Sequence, residues 1–331
     1  MPLLSTLTVP ALMLTPYTQK EKLFCLFEMA DLMRKQAMLL LGFTFFAVLQ
    51  LSTPARAQNA ASDQATVASS SQTQSQAGAG TSSGGAPAES EQAELAKKLS
   101  NPIASLISVP FQNNFDFRLG PNDDGFRYTM NFQPVIPIAL SPNWNLISRT
   151  IVPIIHQSDV VPGTSQTGLG DIVQSFFFSP NKSKPFIWGF GPVLLVPTGT
   201  NDFLGAEKFG LGPTLVVLKQ NKGWTYGALF NHIWSVAGDD ARPAVNATFL
   251  QPFVSYTTKT AWTITLNTES TYDWTAEKWA VPINFSVSKL MRFGKQPVSI
   301  GAGPKCWATS PSGAPSGCGL RFTVTPLFPK K

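Results

Sequence analysis

From Val109 to Phe328 the chain repeats segments of about ten residues in which apolar and polar side chains alternate. In the first segment one face carries Val109, Phe111, Phe115, Phe117 and Leu119, and the other carries Gln112, Asn114, Asp116 and Arg118. Since successive side chains of a strand point to opposite faces, the apolar face suits contact with lipid and the polar face suits contact with water. The pattern predicts an all-β fold, a transmembrane antiparallel up-and-down β-barrel of about 12 strands.

The connections between these segments are alternately long and short. The mostly long ones lie near residues 120–125, 158–170, 198–208, 236–243, 273–278 and 306–318, and the mostly shorter ones near 141–143, 180–184, 219–223, 258–261 and 290–296. Bacterial outer-membrane barrels have short periplasmic turns, long outer loops and both termini in the periplasm. We therefore expect the short turns to face the periplasm.

The N-terminus has the layout of a secretory signal. Arg34 and Lys35 precede an apolar stretch, and Ala55-Arg56-Ala57 offers a small-x-small cleavage site. The stretch is short, which favours a cleaved signal peptide over a retained anchor. We expect residues 1–57 to be leader and signal peptide, with translation starting at Met33 so that residues 1–32 do not belong to the working protein.

Two further segments precede the barrel. Residues 58–90 consist almost entirely of Ala, Ser, Gln, Gly and Thr, which predicts a disordered periplasmic linker. Residues 91–106 place Leu95, Leu99 and Ile103 at helical spacing, which predicts a short amphipathic helix broken near Asn101-Pro102. That helix either plugs the periplasmic mouth or rests on the barrel rim, and the spacing does not decide between them.

Cysteine usage fits an exported protein. Cys25 lies in the leader, which leaves Cys306 and Cys318 around a loop rich in Ser, Gly and Pro. An even number of cysteines in an exported protein favours a disulfide. Two thiols without a neighbouring His or carboxylate are too few ligands for zinc, and a pair of free thiols is the remaining alternative.

The same parity predicts the lipid-facing surface. The rows of the second and fifth strands hold Phe126, Tyr128, Met130, Phe132, Ile136 and Ile138, and Phe186, Trp188, Phe190, Leu194 and Val196. No charge interrupts either row, as expected where a Lys or Arg at mid-depth costs about 2–4 kcal/mol. The strand ends carry a predicted aromatic girdle of Trp144, Trp224, Trp234, Trp262, Trp274 and Trp279.

Several stretches together carry a family resemblance: LSNPIASLISVPFQNNFD, GLGD before a Phe-rich strand, GFGPVLLVPTGT with LGAEKFGLGPT, NHIWSVAGD, and LQPFVSYTT with NTESTYDW. From Leu99 to Phe328 the chain resembles the bacterial outer-membrane transporters grouped as the MetA-pathway of phenol degradation family, some of which bear the misleading label neuromedin U. The resemblance implies an outer-membrane barrel that moves small or aromatic compounds. It brings no catalytic or binding residues with it.

Polar residues on the inward rows are candidates for lining an aqueous path. They are Arg118, Arg127, Arg149, Asn231, Asn267, Glu269, Asp273 and Arg321. These charges either bias which solutes pass or pair with one another across a filled interior. A barrel of about twelve strands lies between the size that side chains fill and the size of open porins, so both interpretations stay open.

An enzyme is the main competing class. His156 and His232 fall on outward parity near the outer strand ends, with Ser148, Ser158 and Ser235 nearby, as a lipid hydrolase would need. No G-x-S-x-G motif accompanies them, and the glycine pair around Phe190 is not followed by a helix as in a phosphate loop. We therefore predict no catalysis, no cofactor and no metal. The net charge of +6 lies in no concentrated basic patch, which argues against nucleic acid as a partner.

Together these features predict an outer-membrane channel or passive transporter for small molecules, hydrophobic or aromatic ones among them. A lipid-active enzyme and a closed structural or surface-binding barrel are the alternatives. The expected partners are outer-membrane lipid, small solutes and the barrel-assembly machinery.

The signal-peptide prediction can be tested on the exported protein. N-terminal sequencing of the chain recovered from outer membranes should begin at Gln58, because Ala57 ends the cleavage motif. A mature chain that still contains residues 37–51 would show that the apolar stretch is an anchor.

Overall fold

The computed structural model describes residues 86–183 and 185–329. The predicted signal peptide and most of the predicted linker lie outside these residues. The described chain forms one helix followed by a closed antiparallel barrel of 12 strands, as the alternation predicted. No helix among the described residues is long and apolar enough to cross a membrane.

The helix, α1, runs over Ala86–Leu99, so it begins inside the stretch predicted as linker. Its last turn carries Lys97 and Lys98, whose charges suit the negative end of the helix dipole. The helix ends before Asn101, whose side-chain oxygen accepts a hydrogen bond from the amide of Ile103 at 3.0 Å. This local turn and the following Pro102 explain why the helix stops short of residue 106.

The strands follow in chain order, and four of them are each interrupted once. They are β1 (Ile107–Ser108 and Phe111–Leu119), β2 (Gly125–Phe132 and Val135–Ala139), β3 (Trp144–Ser158), β4 (Ser165–Leu169 and Ile172–Pro180), β5 (Ile187–Val196), β6 (Lys208–Asn221), β7 (Trp224–Gly238), β8 (Asn246–Thr257), β9 (Trp262–Thr268 and Ser270–Asp273), β10 (Lys278–Phe293), β11 (Gln296–Thr309) and β12 (Cys318–Phe328).

Each strand pairs with the next, and β12 pairs with β1 to close the wall. The closing register sets Leu320 opposite Phe115 and Val324 opposite Phe111. Pro110 and Pro134 have no amide hydrogen to donate and lie at two of the interruptions. Their carbonyls still accept hydrogen bonds, from Gln133 at 2.9 Å and from Thr150 at 3.1 Å, so the wall stays joined across both breaks.

The barrel has two unlike ends. At the end that carries α1 and Phe328, which we call the turn end, the connections are residues 140–143, 181–186, 222–223, 258–261 and 294–295. At the opposite loop end they are residues 120–124, 159–164, 197–207, 239–245, 274–277 and 310–317. One of the two connections of only two residues at the turn end, Lys222-Gly223, has φ angles of 46° and 88°, which match a two-residue hairpin turn.

The outer surface is the apolar face that the alternation predicted. Ile138, Phe190 and Phe285 expose 45%, 51% and 43% of their surface although all three are apolar. All six predicted girdle tryptophans are exposed as well. Trp144, Trp224 and Trp262 begin strands at the turn end, whereas Trp234, Trp274 and Trp279 lie at the loop end.

A disulfide joins Cys306 to Cys318, as predicted. The two residues face each other in the register of β11 and β12. The bond therefore closes the loop 310–317 where these strands reach the loop end.

The lipid-facing parity can be tested at mid-strand in β10. Phe285→Arg should lower the free energy of unfolding by about 2–4 kcal/mol relative to Phe285→Ala, because it puts a charge on the exposed apolar face. Urea unfolding of the protein refolded in lipid vesicles measures this difference. Ser286→Arg is the matched control on the inward face and should cost less; an equal cost for both would contradict the assigned parity.

Candidate functional site: the lumen of the barrel

The turn end of the barrel is occupied by α1 and the residues after it, 100–106, which we together call the plug segment. One apolar cluster joins it to the wall and consists of Leu95, Ala96, Leu106, Ala261, Leu290 and Leu327. Helical spacing brings Leu95 and Leu99 to the same face of α1, and that face packs against the wall.

A second cluster surrounds Ile103. Its wall members are Ile147, Phe177, Val216, Leu218 and Leu229, each at most 2% exposed. These side chains come from the inward rows of β3, β4, β6 and β7, which are apolar at this height. Ile103 therefore lies inside the barrel rather than on its rim. Burying one such side chain is worth about 1.5–3 kcal/mol, which makes it a main anchor.

Polar contacts tie the plug segment to strands on different sides of the wall. Gln220 Nε2 donates to the carbonyl of Lys97 at 2.7 Å, and Asn145 Nδ2 donates to Ser105 Oγ at 3.0 Å. An ion pair between Arg292 and Glu91 at 2.6 Å is largely exposed, so it contributes little. The apolar clusters provide most of the attachment.

Beside the plug segment the lumen retains adjoining cavities, which we call the vestibule. Their volumes are about 130, 280 and 160 Å³. Leu99 lines all three, Arg149 lines the first two, and Arg321 lines the third. The largest is bounded mainly by hydroxyl and amide side chains, including Ser255, Thr263, Thr265, Asn267, Ser288, Ser299, Thr323 and Thr325. The wall from β8 to β12 is thus polar where the wall around Ile103 is apolar.

Above the vestibule, towards the loop end, two buried ion pairs form what we call the charged belt. Arg321 donates two hydrogen bonds to the Glu269 carboxylate at 2.8 and 2.7 Å and a third to Asn114 Oδ1 at 2.7 Å. Lys305 Nζ lies 2.9 Å from Asp116 Oδ2. Trp307 Nε1 donates to the other oxygen of Asp116 at 3.0 Å. Because β9 and β12 are not neighbours in the wall, the Arg321–Glu269 pair crosses part of the lumen.

Other predicted lumen residues also lie on inward rows. Arg127 Nε donates to Gln157 Oε1 at 2.8 Å, and Arg149 Nη2 donates to Gln133 Oε1 at 3.1 Å. Asn267 Oδ1 accepts a hydrogen bond from Asn284 at 2.8 Å. Asn231 lies between Thr214 and Phe249 in the sheet register.

The structure places two predicted lumen residues at the loop end, away from the vestibule. Arg118 has a φ of 58° at a register shift in β1, so the alternation ends there and its side chain is exposed while Leu119 is buried. Asp273 Oδ1 accepts hydrogen bonds from the amides of Thr275 and Ala276 and so caps the turn 274–277. A bulge and a turn cap both break the two-residue rule on which the prediction rested.

Lys305 and Trp307 are lumen residues that the sequence analysis missed. They share an inward row with Gly301 and Gly303, so a lone charge in a row of small residues was the available signal. Their common partner, Asp116, was assigned to the polar face of its strand but not to the candidate site. Its contact with Lys305 joins residues 189 positions apart, which local periodicity does not reveal.

The long loop 197–207 folds against the inner face of the loop end. The Asp171 carboxylate accepts hydrogen bonds from the amides of Gly199 at 3.0 Å and Ala206 at 2.6 Å. Arg242 donates to the carbonyls of Asp202 and Gly205. A Cβ at Gly168 would collide with Thr200 Oγ1, so glycine allows the loop to lie close to β4. The loop is therefore held in place and narrows this end of the lumen.

The residues that suggested a lipid hydrolase form hydrogen bonds with other partners. The rings of His156 and His232 pair with Thr167 and Thr248, each at 2.7 Å. Ser148 Oγ accepts a hydrogen bond from Gln174, and Ser235 Oγ accepts one from the amide of Val245. His156 and His232 therefore face threonines rather than a nucleophilic serine.

A transmembrane-type barrel with a plug segment and a polar, partly charged lumen is the class of protein that the fold and the lumen define. Residues 110–303 match the family described as "Putative MetA-pathway of phenol degradation". The chain belongs to this family, as the sequence resemblance predicted. No curated protein matches the chain by sequence.

Three solved structures similar to the chain are an outer membrane channel, a porin and an outer membrane phospholipase. The COG4313 outer membrane channel from Pseudomonas putida F1 is 14% identical, with a TM-score of 0.52 over 67% of this chain and 94% of that one. The NanC porin is 10% identical (TM-score 0.43; 68% and 100% covered). Outer membrane phospholipase A from Escherichia coli is also 10% identical (TM-score 0.37; 68% and 96% covered). The similarity to the COG4313 channel shows a shared barrel fold.

The charged belt can be tested by a double-mutant cycle. Glu269→Gln should lower the free energy of unfolding by about 3 kcal/mol, because it leaves the Arg321 guanidinium buried without its carboxylate. Adding Arg321→Gln should recover part of that loss, since the stranded charge is then removed. Additive losses measured by urea unfolding would contradict a direct pair.

Proposed function

We propose that the protein is an outer-membrane channel that lets small solutes cross passively through its lumen. The single observation that supports this most strongly is the vestibule, whose cavities all include Leu99 in their lining and together reach from Asn101 near the turn end to Arg321 in the charged belt. The plug segment fills the apolar side of the lumen and leaves the polar side accessible. A purely structural barrel would need neither this division nor a polar cavity.

The proposal includes a location in the outer membrane and an orientation of the two barrel ends. The exposed apolar belt between two tryptophan girdles suits a lipid bilayer, and the signal peptide predicted from the sequence would deliver the chain to the barrel-assembly machinery. The turn end then faces the periplasm, with the linker attached to the plug segment. The loop end, narrowed by loop 197–207, faces outward.

The charges of the lumen favour anions. Arg127, Arg149, Lys305 and Arg321 face inward at the height of the vestibule and the charged belt, where Asp116 and Glu269 supply carboxylates. Since rings of like charge bias which ions enter a pore, this excess of cations should favour negatively charged solutes. The family description refers to phenol degradation, which supports aromatic compounds among the solutes.

Planar-bilayer recording of the purified, refolded protein tests the channel. The wild-type protein should give single-channel currents, and Ile103→Asp should raise the conductance, because a charge in the apolar cluster expels the plug segment. In a KCl gradient the sign of the reversal potential should show that chloride passes more readily than potassium.

The control is Glu94→Ala, which removes an exposed side chain of the same plug segment and should leave the conductance unchanged. A silent membrane with both the wild-type protein and Ile103→Asp would contradict the channel and favour a closed structural barrel.

A further inference from the structure

We propose that Arg149 and the largest cavity of the vestibule form a binding site for a small organic carboxylate, one with a single charge and an apolar body. The site rests on the proposed function, because it lies on the path that a solute would follow. It adds to that function a class of substrate and a residue that recognises it.

Arg149 is a lumen cation whose hydrogen-bonding capacity is largely unused. Among the described residues no carboxylate oxygen lies within 4.0 Å of its guanidinium, and the bond from Nη2 to Gln133 engages one of its five N–H groups. Arg321, by contrast, uses three of its five N–H groups in hydrogen bonds to Glu269 and Asn114. Glu269 acts on Arg149 only through longer-range electrostatics, because its carboxylate is hydrogen-bonded to Arg321, so the Arg149 guanidinium keeps N–H groups free to bind an anion.

The backbone around the strand break holds Arg149 and Gln133 in position. The amide of Gln133 donates to the carbonyl of Pro110 at 2.9 Å, and the amide of Thr150 donates to the carbonyl of Pro134 at 3.1 Å. Gln133 is thereby fixed, and its side chain orients the guanidinium. A site built on rigid strands binds a ligand with little ordering cost.

The cavity beside Arg149 has the size and chemistry for a small amphipathic ion. Its volume is about 280 Å³, and an adjoining cavity of about 130 Å³ is also lined by Arg149. Leu99, Pro102 and Phe253 supply apolar surface. Hydroxyl and amide side chains, among them Thr265 and Asn267, bound the rest of the cavity. The cavity therefore offers one cation, a polar lining and an apolar wall.

These features favour a monocarboxylate over phosphate. One guanidinium can hold a carboxylate through two parallel hydrogen bonds, whereas a doubly charged phosphate would leave a second charge without a partner. The apolar wall would remain unused by inorganic phosphate or by acetate. A carboxylate attached to a ring or a short hydrocarbon chain matches both parts of the cavity.

Ligand-detected NMR titration of the full-length mature protein in detergent micelles tests the site, with benzoate as the probe. Arg149→Gln should weaken benzoate binding about tenfold or more, since it removes a charge-assisted hydrogen bond. The control is Arg118→Gln, which removes an arginine charge from an exposed position at the loop end that does not line the vestibule. It should change the benzoate affinity by less than about twofold. Heat-modifiable mobility on gels checks that each variant is folded.

The wild-type protein alone gives a second test that does not depend on any variant. Benzoate should bind more tightly than benzamide, which has the same shape without the charge, and more tightly than acetate or phosphate, which lack the apolar body. Equal binding of benzoate and benzamide, or unchanged binding in Arg149→Gln, would overturn the proposal. Tighter binding of phosphate would overturn the choice of ligand class.

Failure of this site and failure of the channel are distinguishable. Single-channel currents without benzoate binding would remove the Arg149 site and leave the channel standing. Benzoate binding in a barrel that passes no current would remove the channel and leave the Arg149 site standing.

Discussion

The structure depends on one constraint: within a bilayer every backbone amide and carbonyl of the wall needs a partner in the protein. The pairing of β12 with β1 meets that requirement by removing the open edges of the sheet. Where proline interrupts a strand, the wall satisfies it locally, as when the carbonyl of Pro134 accepts a hydrogen bond from Thr150. A closed wall then leaves two surfaces with different solvents, and the alternation of side chains follows from that difference.

Once the wall is closed, its inward rows are free to differ from strand to strand. The rows of β3, β4, β6 and β7 are apolar at the turn end and receive Ile103. The rows of β8 to β12 are rich in hydroxyl groups and bound the vestibule. The charged belt pairs its buried cations with carboxylates, which explains how charges persist at membrane depth. The lumen is thus divided between an anchored plug segment and the polar vestibule.

Much of the fold could be predicted from the sequence because a two-residue period is local. The outward rows follow from the parity of the strand residues. The number of strands follows from the count of alternating segments, and the girdle tryptophans from their positions at the ends of those segments. The Cys306–Cys318 disulfide follows from cysteine usage in an exported chain. The side-chain contacts inside the barrel were harder to predict, because they join residues that are far apart in the sequence. Arg321 and Glu269 are 52 residues apart, and nothing in either strand indicates the other. Arg118 was placed in the lumen by parity, but the register shift in β1 leaves its side chain exposed at the loop end.

The central claim is that lipid and water act on opposite faces of the same strands, and site-directed spin labelling along β10 tests it most directly. Labels placed one at a time from 281 to 289, in protein refolded in vesicles, report their accessibility to oxygen and to a polar relaxing agent. Oxygen accessibility should peak at 283, 285 and 287, and the polar agent should reach 284, 286 and 288 best. The account would be contradicted if accessibility showed no two-residue period, or if oxygen and the polar agent both reached the same positions best.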